Sequence, residues 1–335
     1  MLTLLVAVSS AEAKYWKIGP SSVTGMDFAS INDAMNSSNV SAGDTLYLDQ
    51  YYNESAVQTV TKKVVIIGTG YDTSFTDEQV VATLTNTLEL KNNGAVVKST
   101  KLNQVHLYAT DCTVERCFSN GIQSKSTSTG LNHIYSCYIV GSILGYSSSN
   151  YSIFDVQNCV IVNSNEGLLQ FMNSSIINNN IIINSSGNGS RYCLSNINNS
   201  QITNNIIIRT YESACTIKDV GSGSGNSIEH NILSNPSALT YFPNNKIGWE
   251  KNNYTSLFLQ SGNYSDYYKL ATESGDNPAI GYATDGGEVG CHGGMFGCPS
   301  GGRPQYIPYF TKVTVGSRSE NAKLPVSVSI KIQDE

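Results

Sequence analysis

Between residues 114 and 233 short aliphatic runs recur, each broken at the same place by a cysteine or an asparagine. The pattern is an aliphatic residue, two mostly polar residues, Cys or Asn, then aliphatics again. It reads VERCFS from Val114, IYSCYIV from Ile134, VQNCVIV from Val156, INNNIII from Ile177, ITNNIII from Ile202 and IEHNIL from Ile228. The fourth positions are Cys117, Cys137, Cys159, Asn180, Asn205 and Asn231, separated by 20, 22, 21, 25 and 26 residues. A repeat of variable length rules out strict-period arrays and predicts a parallel β-helix, in which each winding of the chain is one coil of short strands. Coils stack at the strand spacing of ~4.8 Å, so the six positions form one axial file. An asparagine there can bond to the amides above and below, and it tolerates the left-handed bend that joins two strands. A cysteine there serves as a small buried hydrophobe.

The same alternation predicts what faces outward. Ile139, Ile161, Ile182 and Ile207 point into the coil; Tyr138, Val140, Val160, Val162, Ile181, Ile183, Ile206 and Ile208 point out. So long an apolar stripe demands a cover. The simplest is the tail PYFTKVTVGSRSENAKLPVSVSIKIQDE, whose two alternating runs around a polar turn predict a hairpin; a partner chain is the rival. A looser alignment of SIFDV, QFMNS, CLSNI and TIKDV predicts a second polar column of Asp155, Asn173, Asn196 and Asp219. At the front, MDFASINDAMNSS places Phe28, Ile31 and Met35 on one helical face after Asp27 as N-cap, a helix that closes the open end of the stack. GDTLYLD and KKVVIIGTG supply the first coils.

Composition narrows the function. Only 14% of the 335 residues are charged, against roughly a quarter in ordinary domains, and the net charge is −6. That balance disfavours nucleic acid, which needs a basic footprint. No stretch approaches the ~20 apolar residues of a membrane span. Residues 1–13 read as the remnant of a signal peptide, with an apolar core from Leu2 to Val8 and a small-x-small site at Ala11-Glu12-Ala13. The expected organisation is therefore a leader (1–13), a capped β-helix (14–300) and a β tail packed on it (301–335), in a secreted protein: periplasmic, cell-surface or extracellular. Of the eight cysteines, Cys117, Cys137 and Cys159 stack along the axis rather than around a point, which argues against a zinc site with His133. Cys193 and Cys215 face the interior, and Cys291 and Cys298, in a Gly-rich loop, are the candidate disulfide.

The segment DFASINDAMNSSNVSAGDTLYLDQYYNES resembles the opening of pectin-lyase-like right-handed parallel β-helices. NPAIGYATDGGEVGCHGG with GRPQYIPYF, between Asn277 and Phe310, resembles the closing segment of secreted β-helix proteins of gut-type bacteria. The resemblance covers nearly the whole chain after the leader and implies contact with carbohydrate on outer strand faces. It does not choose among lyases, hydrolases and non-catalytic surface proteins.

The family's catalytic patterns are missing. Hydrolysis of the polygalacturonase kind needs paired carboxylates, and the Asn-Thr-Asp, Asp-Asp, Gly-His-Gly and Arg-Ile-Lys motifs are absent. Calcium-assisted elimination needs an acidic cluster and a basic proton acceptor; Arg-x-Pro-x-x-Arg is absent, and Gly302-Arg303-Pro304 is an isolated fragment. The candidates for a lyase site are Arg191, Arg209, Glu212, Lys218, Glu229 and His230, beside Asp219, with Glu115-Arg116 a smaller group; Ca²⁺ enters only if the protein is a lyase, and no other cofactor is implied. The favoured reading is a non-catalytic glycan-binding or adhesion-type protein, monomeric unless a partner chain covers the stripe. The alternative is a lyase or hydrolase of acidic polysaccharides.

Overall fold

The computed structural model describes residues 12–73, 80–127, 130–163, 167–186, 192–210, 217–218, 225–234, 242–247, 254–259, 268–272, 277–299, 301–302, 309–315 and 326–331. Among them the chain is all-β apart from one six-residue α-helix and one short 3₁₀ turn. It winds as a parallel β-helix. Each coil gives one strand to a ten-stranded parallel sheet, here sheet A, and then one or two to a sixteen-stranded parallel sheet, sheet B. The register is regular enough to read columns. Leu46, Ile66, Val97, Val114, Ile134, Val156, Ile177, Ile202 and Ile228 follow one another along sheet A, all buried in the core that fills the coil. Ile139, Ile161, Ile182 and Ile207 line sheet B from inside in the same way. Branched aliphatics suit these positions because an inward side chain touches its equivalents one coil above and below.

The asparagine triplet 178–180 divides its labour by position. Asn180 points inward: its Oδ1 accepts from the Cys159 amide at 2.9 Å, and its own amide donates to Asn205 Oδ1 at 2.9 Å. Asn205 relates to Asn231 in the same way, and the file runs one step further, to Asn245. Each carboxamide nitrogen donates to a carbonyl one coil back: Asn180 to Val156, Asn205 to Ile177, Asn231 to Ile202. The cysteines do more than fill space. Cys137 Sγ lies 3.4 Å from Val114 O and 3.3 Å from Tyr135 O, and Cys159 Sγ 3.5 Å from Ile134 O and 3.3 Å from Gln157 O, the same classes of acceptor that the carboxamides serve. Asn179, one residue earlier, has φ +54° and points outward; Asn178 lies on the outer face of sheet A.

Three expectations change. The helix is Ile31–Asn36, capped by Ser30, whose hydroxyl accepts from the Asp33 amide at 3.1 Å; Asp27 instead accepts from the Lys17 amide. Ile31, Ala34 and Met35 are its buried side. The column of Asp155, Asn173, Asn196 and Asp219 does not exist. Asp155 lies in sheet A between His133 and Ile176, whereas Asn173 lies in sheet B beside Asn198; Asp219 is outside the described residues. Coils lengthen from 20 to 26 residues at that turn, so equal spacing in sequence does not give equal position in space.

Third, the outward stripe is covered, but by an earlier stretch than the tail. Tyr138, Val160, Ile181, Ile183, Ile206, Ile208 and Ile232 form a second core with Leu257, Phe258, Leu270, Ala279, Ala283, Val289 and Cys291. Val140, at 41% exposure, lies beyond the cover. The tail does form a hairpin, Tyr309–Val315 against Val326–Lys331, paired as its own two-stranded antiparallel sheet. Its side chains, the leader 1–11 and Cys215 lie outside what is described.

Candidate functional site

Two features shape the outer surface. The first is a strap, residues 279–302, that runs back along the coil stack toward the N-terminal end. Its anchors are the residues preceding the ladder. Arg116, Ser136, Asn158, Asn179, Asn204 and His230 all have φ between +51° and +57°, which turns their side chains outward. His230 Nδ1 bonds Tyr282 O at 3.0 Å; Asn204 Nδ2 donates to Thr284 Oγ1 and its Oδ1 accepts from the Thr284 amide. Asn179 donates to Gly290 O, Asn158 to the carbonyls of Cys291 and Gly293, and Ser136 Oγ to those of Phe296 and Gly297. The strap ends where Gly301 O accepts from the Tyr71 and Asp72 amides. Gly290 sits at φ +99°, a conformation that strains any residue with a side chain, and a Cβ there would also press on Ile206. Cys291 and Cys298 form a disulfide that closes the loop carrying Phe296. Although Cys291, His292 and Cys298 bring donor atoms within 4.8 Å of one another, the two sulfurs are bonded to each other and offer no thiolate to a metal.

The second feature is the outer face of sheet A. One column runs Lys17, Tyr47, Ile67, Lys98, Glu115, Tyr135, Gln157, Asn178, Thr203, Glu229, one residue per coil, each of them exposed or half-buried. Neighbours bridge along it: Lys98 Nζ to Glu115 Oε2 at 2.6 Å, Asn178 Nδ2 to Gln157 Oε1 at 3.5 Å, Thr203 Oγ1 to Asn178 Oδ1 at 3.1 Å.

At its middle lies a titratable cluster that the repeat pattern did not reveal. Tyr135 Oη donates to Asp155 Oδ2 at 2.5 Å and lies 2.7 Å from His133 Nδ1; Gln157 Nε2 donates to Asp155 Oδ1, and His133 Nε2 faces Asp111 Oδ1 at 3.5 Å. Phe296 of the strap stacks on Tyr135, centroids 4.0 Å apart. The Asp155 carboxylate, 3.8 Å from the imidazole, holds the His133 pKa above its usual value, against the opposing effect of burial. Burial alone would raise Asp155, yet the nearby His133 and the hydrogen bonds from Tyr135 and Gln157 keep it below the usual carboxylate range. Burial, reinforced by Asp155, makes the Tyr135 phenol harder to ionise. These groups spend their hydrogen-bonding capacity on one another. His133 and Asp155 belong to different coils 22 residues apart, so only the β-helix register brings them together.

The six sequence candidates do not converge among the described residues. Arg209 is buried at 1% exposure on the inner side of sheet B, with its guanidinium 5.5 Å from the Tyr192 ring. Glu229 ends the outer column of sheet A and accepts from Ser227 Oγ, while His230 holds the strap. Arg191 and Glu212 lie outside the described residues, as does the side chain of Lys218. The reason is the winding: residues adjacent in sequence around a left-handed turn point to three different sides. Among the described residues no helix is long and apolar enough to cross a membrane. Compared with known proteins, the chain matches no family model, no curated protein and no solved structure.

Proposed function

We propose that this is an exported, non-catalytic β-helix protein that binds an extended glycan along the outer face of sheet A. One observation carries the reading: an outward-facing file of side chains, hydrogen-bonding or aromatic at every coil but that of Ile67, repeats about every 4.8 Å, a step close to the length of one pyranose unit. Gln157, Asn178 and Thr203 supply amides and hydroxyls suited to sugar hydroxyls, and the strap walls one side. The resemblance to pectin-lyase-like proteins supports the same surface. The Cys291–Cys298 disulfide supports export, since such bonds persist in oxidising compartments. The lyase alternative rests on His133, Tyr135 and Asp155. Their chemistry favours binding, because a phenol that resists ionisation beneath an aromatic lid is a poor proton acceptor.

A panel of acidic and neutral polysaccharides, tested for binding and for unsaturated products with calcium and with chelator, decides the matter. Expected is binding without turnover, weakened about tenfold (about 1.4 kcal/mol) by Gln157→Ala with Asn178→Ala. Turnover that disappears in Tyr135→Phe would establish the enzyme instead, and failure of every polysaccharide to bind would end the glycan reading.

A further inference from the structure

The outer column of sheet A has a built end. Its first two members, Lys17 and Tyr47, are neighbours across the first strand pair, and beside them a hollow of about 320 Å³ opens, lined by Lys17, Met26, Tyr47, Leu48, Asp49, Gln50 and Thr69. That volume lies at the lower end of ligand pockets, roughly 300–1,000 Å³, and suits a single ring rather than a chain. Its walls combine two chemistries. The Tyr47 ring and the Met26 thioether form the apolar side, and Tyr47 is 40% exposed. The polar side is uncommitted: among the described residues, the Lys17 ammonium, the Tyr47 hydroxyl and the Gln50 carboxamide make no hydrogen bond or ion pair. Asp49 uses one carboxylate oxygen to accept from the Tyr51 amide and leaves the other open.

Elsewhere along the column polar groups are paired with neighbours. Glu115 holds Lys98, Tyr135 holds Asp155, and Asn178 holds Thr203. The change from paired to unpaired groups coincides with the change from flat sheet to hollow. An aromatic face next to unpaired donors and acceptors matches a pyranose, which has an apolar C–H face and a rim of hydroxyls.

We propose that this hollow seats the terminal pyranose unit of the bound glycan, its C–H face against Tyr47 and its hydroxyls on Asp49, Gln50 and Lys17, so that the protein engages chains from an end. The proposal rests on the glycan-binding reading and adds a register to it: the first sugar is fixed at Lys17 and Tyr47, and successive units follow the coils.

The test uses the full chain and single-ring probes, the methyl glycosides of glucose, galactose and glucuronic acid, with saturation-transfer NMR and titration calorimetry. Expected is transfer to at least one probe at millimolar concentration, with affinity reduced about tenfold by Tyr47→Ala, the loss appropriate to one stacking contact. Gln50→Ala weakens the same probe, and circular dichroism and melting show both variants folded. A preference for methyl glucuronide, lost in Lys17→Met, assigns the ammonium to a carboxylate; equal binding of all three assigns it to a hydroxyl. The seat is overturned if no methyl glycoside binds, or if binding ignores Tyr47→Ala and Gln50→Ala. Should oligosaccharides still bind and respond to Gln157→Ala in that case, the sheet surface stands without the seat. Absence of binding to sugars of any length removes both.

Discussion

Thiols and carboxamides occupy one internal file, and the difference in what they can donate sets what each substitution costs. Replacing Asn205 by Ala strips partners from the Asn180 amide and from the carbonyls of Ile177 and Thr203, all in a dry interior. The expected loss is roughly 2–6 kcal/mol, since a stranded buried group costs about 1–3 and Thr203 O keeps the Asn179 amide as a donor. Cys137→Ala removes only weak S–H contacts and little volume, so about 1 kcal/mol is expected; urea denaturation of the two variants gives the comparison. His133 and Asp155 add a pH signature. The raised His133 pKa contributes stability that is complete below about 6.5, the ordinary histidine value, and is lost as pH rises through the folded value. The lowered Asp155 pKa contributes above about 3.9 and is lost as pH falls through its folded value. Urea midpoints should therefore decline as pH rises above about 6.5 in the native protein, and that decline should flatten in His133→Gln. The ladder was legible because Cys and Asn interrupt aliphatic runs at a readable period. The distinct work of Asn179 was not, because two adjacent asparagines look alike until the left-handed turn sends one inward and the other outward.

Among the elements, the strap owes its place to side chain-to-backbone bonds and one disulfide rather than to strand pairing. Closing a loop of about eight residues stabilises by about 2.5 kcal/mol on the chain-entropy account. Reduction, or Cys291→Ser with Cys298→Ser, should lower the melting midpoint. It should also speed hydrogen exchange at the strap amides of Gly290 and Gly293 while leaving ladder amides such as Asn205 protected. Equal acceleration in both places would mean that strap and coil open as one unit. The need for a cover could be read from the outward isoleucines, whereas the cover itself could not. Residues 279–302 are rich in glycine and follow no period, because the segment is held at scattered points by anchors on successive coils. The helix cap was misplaced by three residues for a related reason: Asp27 and Ser30 both qualify by type, and Ser30 is the one whose hydroxyl reaches the amide three residues on.

At the scale of the molecule, sheet A and the strap make different demands on the chain. Sheet A adds coils by nearest-neighbour contact, as any solenoid does. The strap joins Tyr282 to His230 at one end and Gly301 to Tyr71 at the other, so residues 230 positions apart in sequence meet. Ending the chain at residue 256 should leave Val160, Ile181, Ile206 and Ile232 open to solvent. Such a fragment should bind a hydrophobic dye and sediment as aggregates, whereas the full chain should not. A monodisperse fragment that leaves the dye unbound would show that the coils need no cover. The parallel stack was legible from the repeat, but the clustering of His133, Asp111 and Asp155 depends on coil lengths that only the register supplies.

Because the strap doubles back over coils made long before it, synthesis order matters. Coils can wind as they emerge, yet their greasy flank has no lining until residue 302 has followed. During that interval the nascent protein is a wound spring without its clasp, exposed to sticking and dependent on whatever shields it. Loop closure over so long a span should make clasping the slow step, arriving after the strands have formed and closing the molecule all at once.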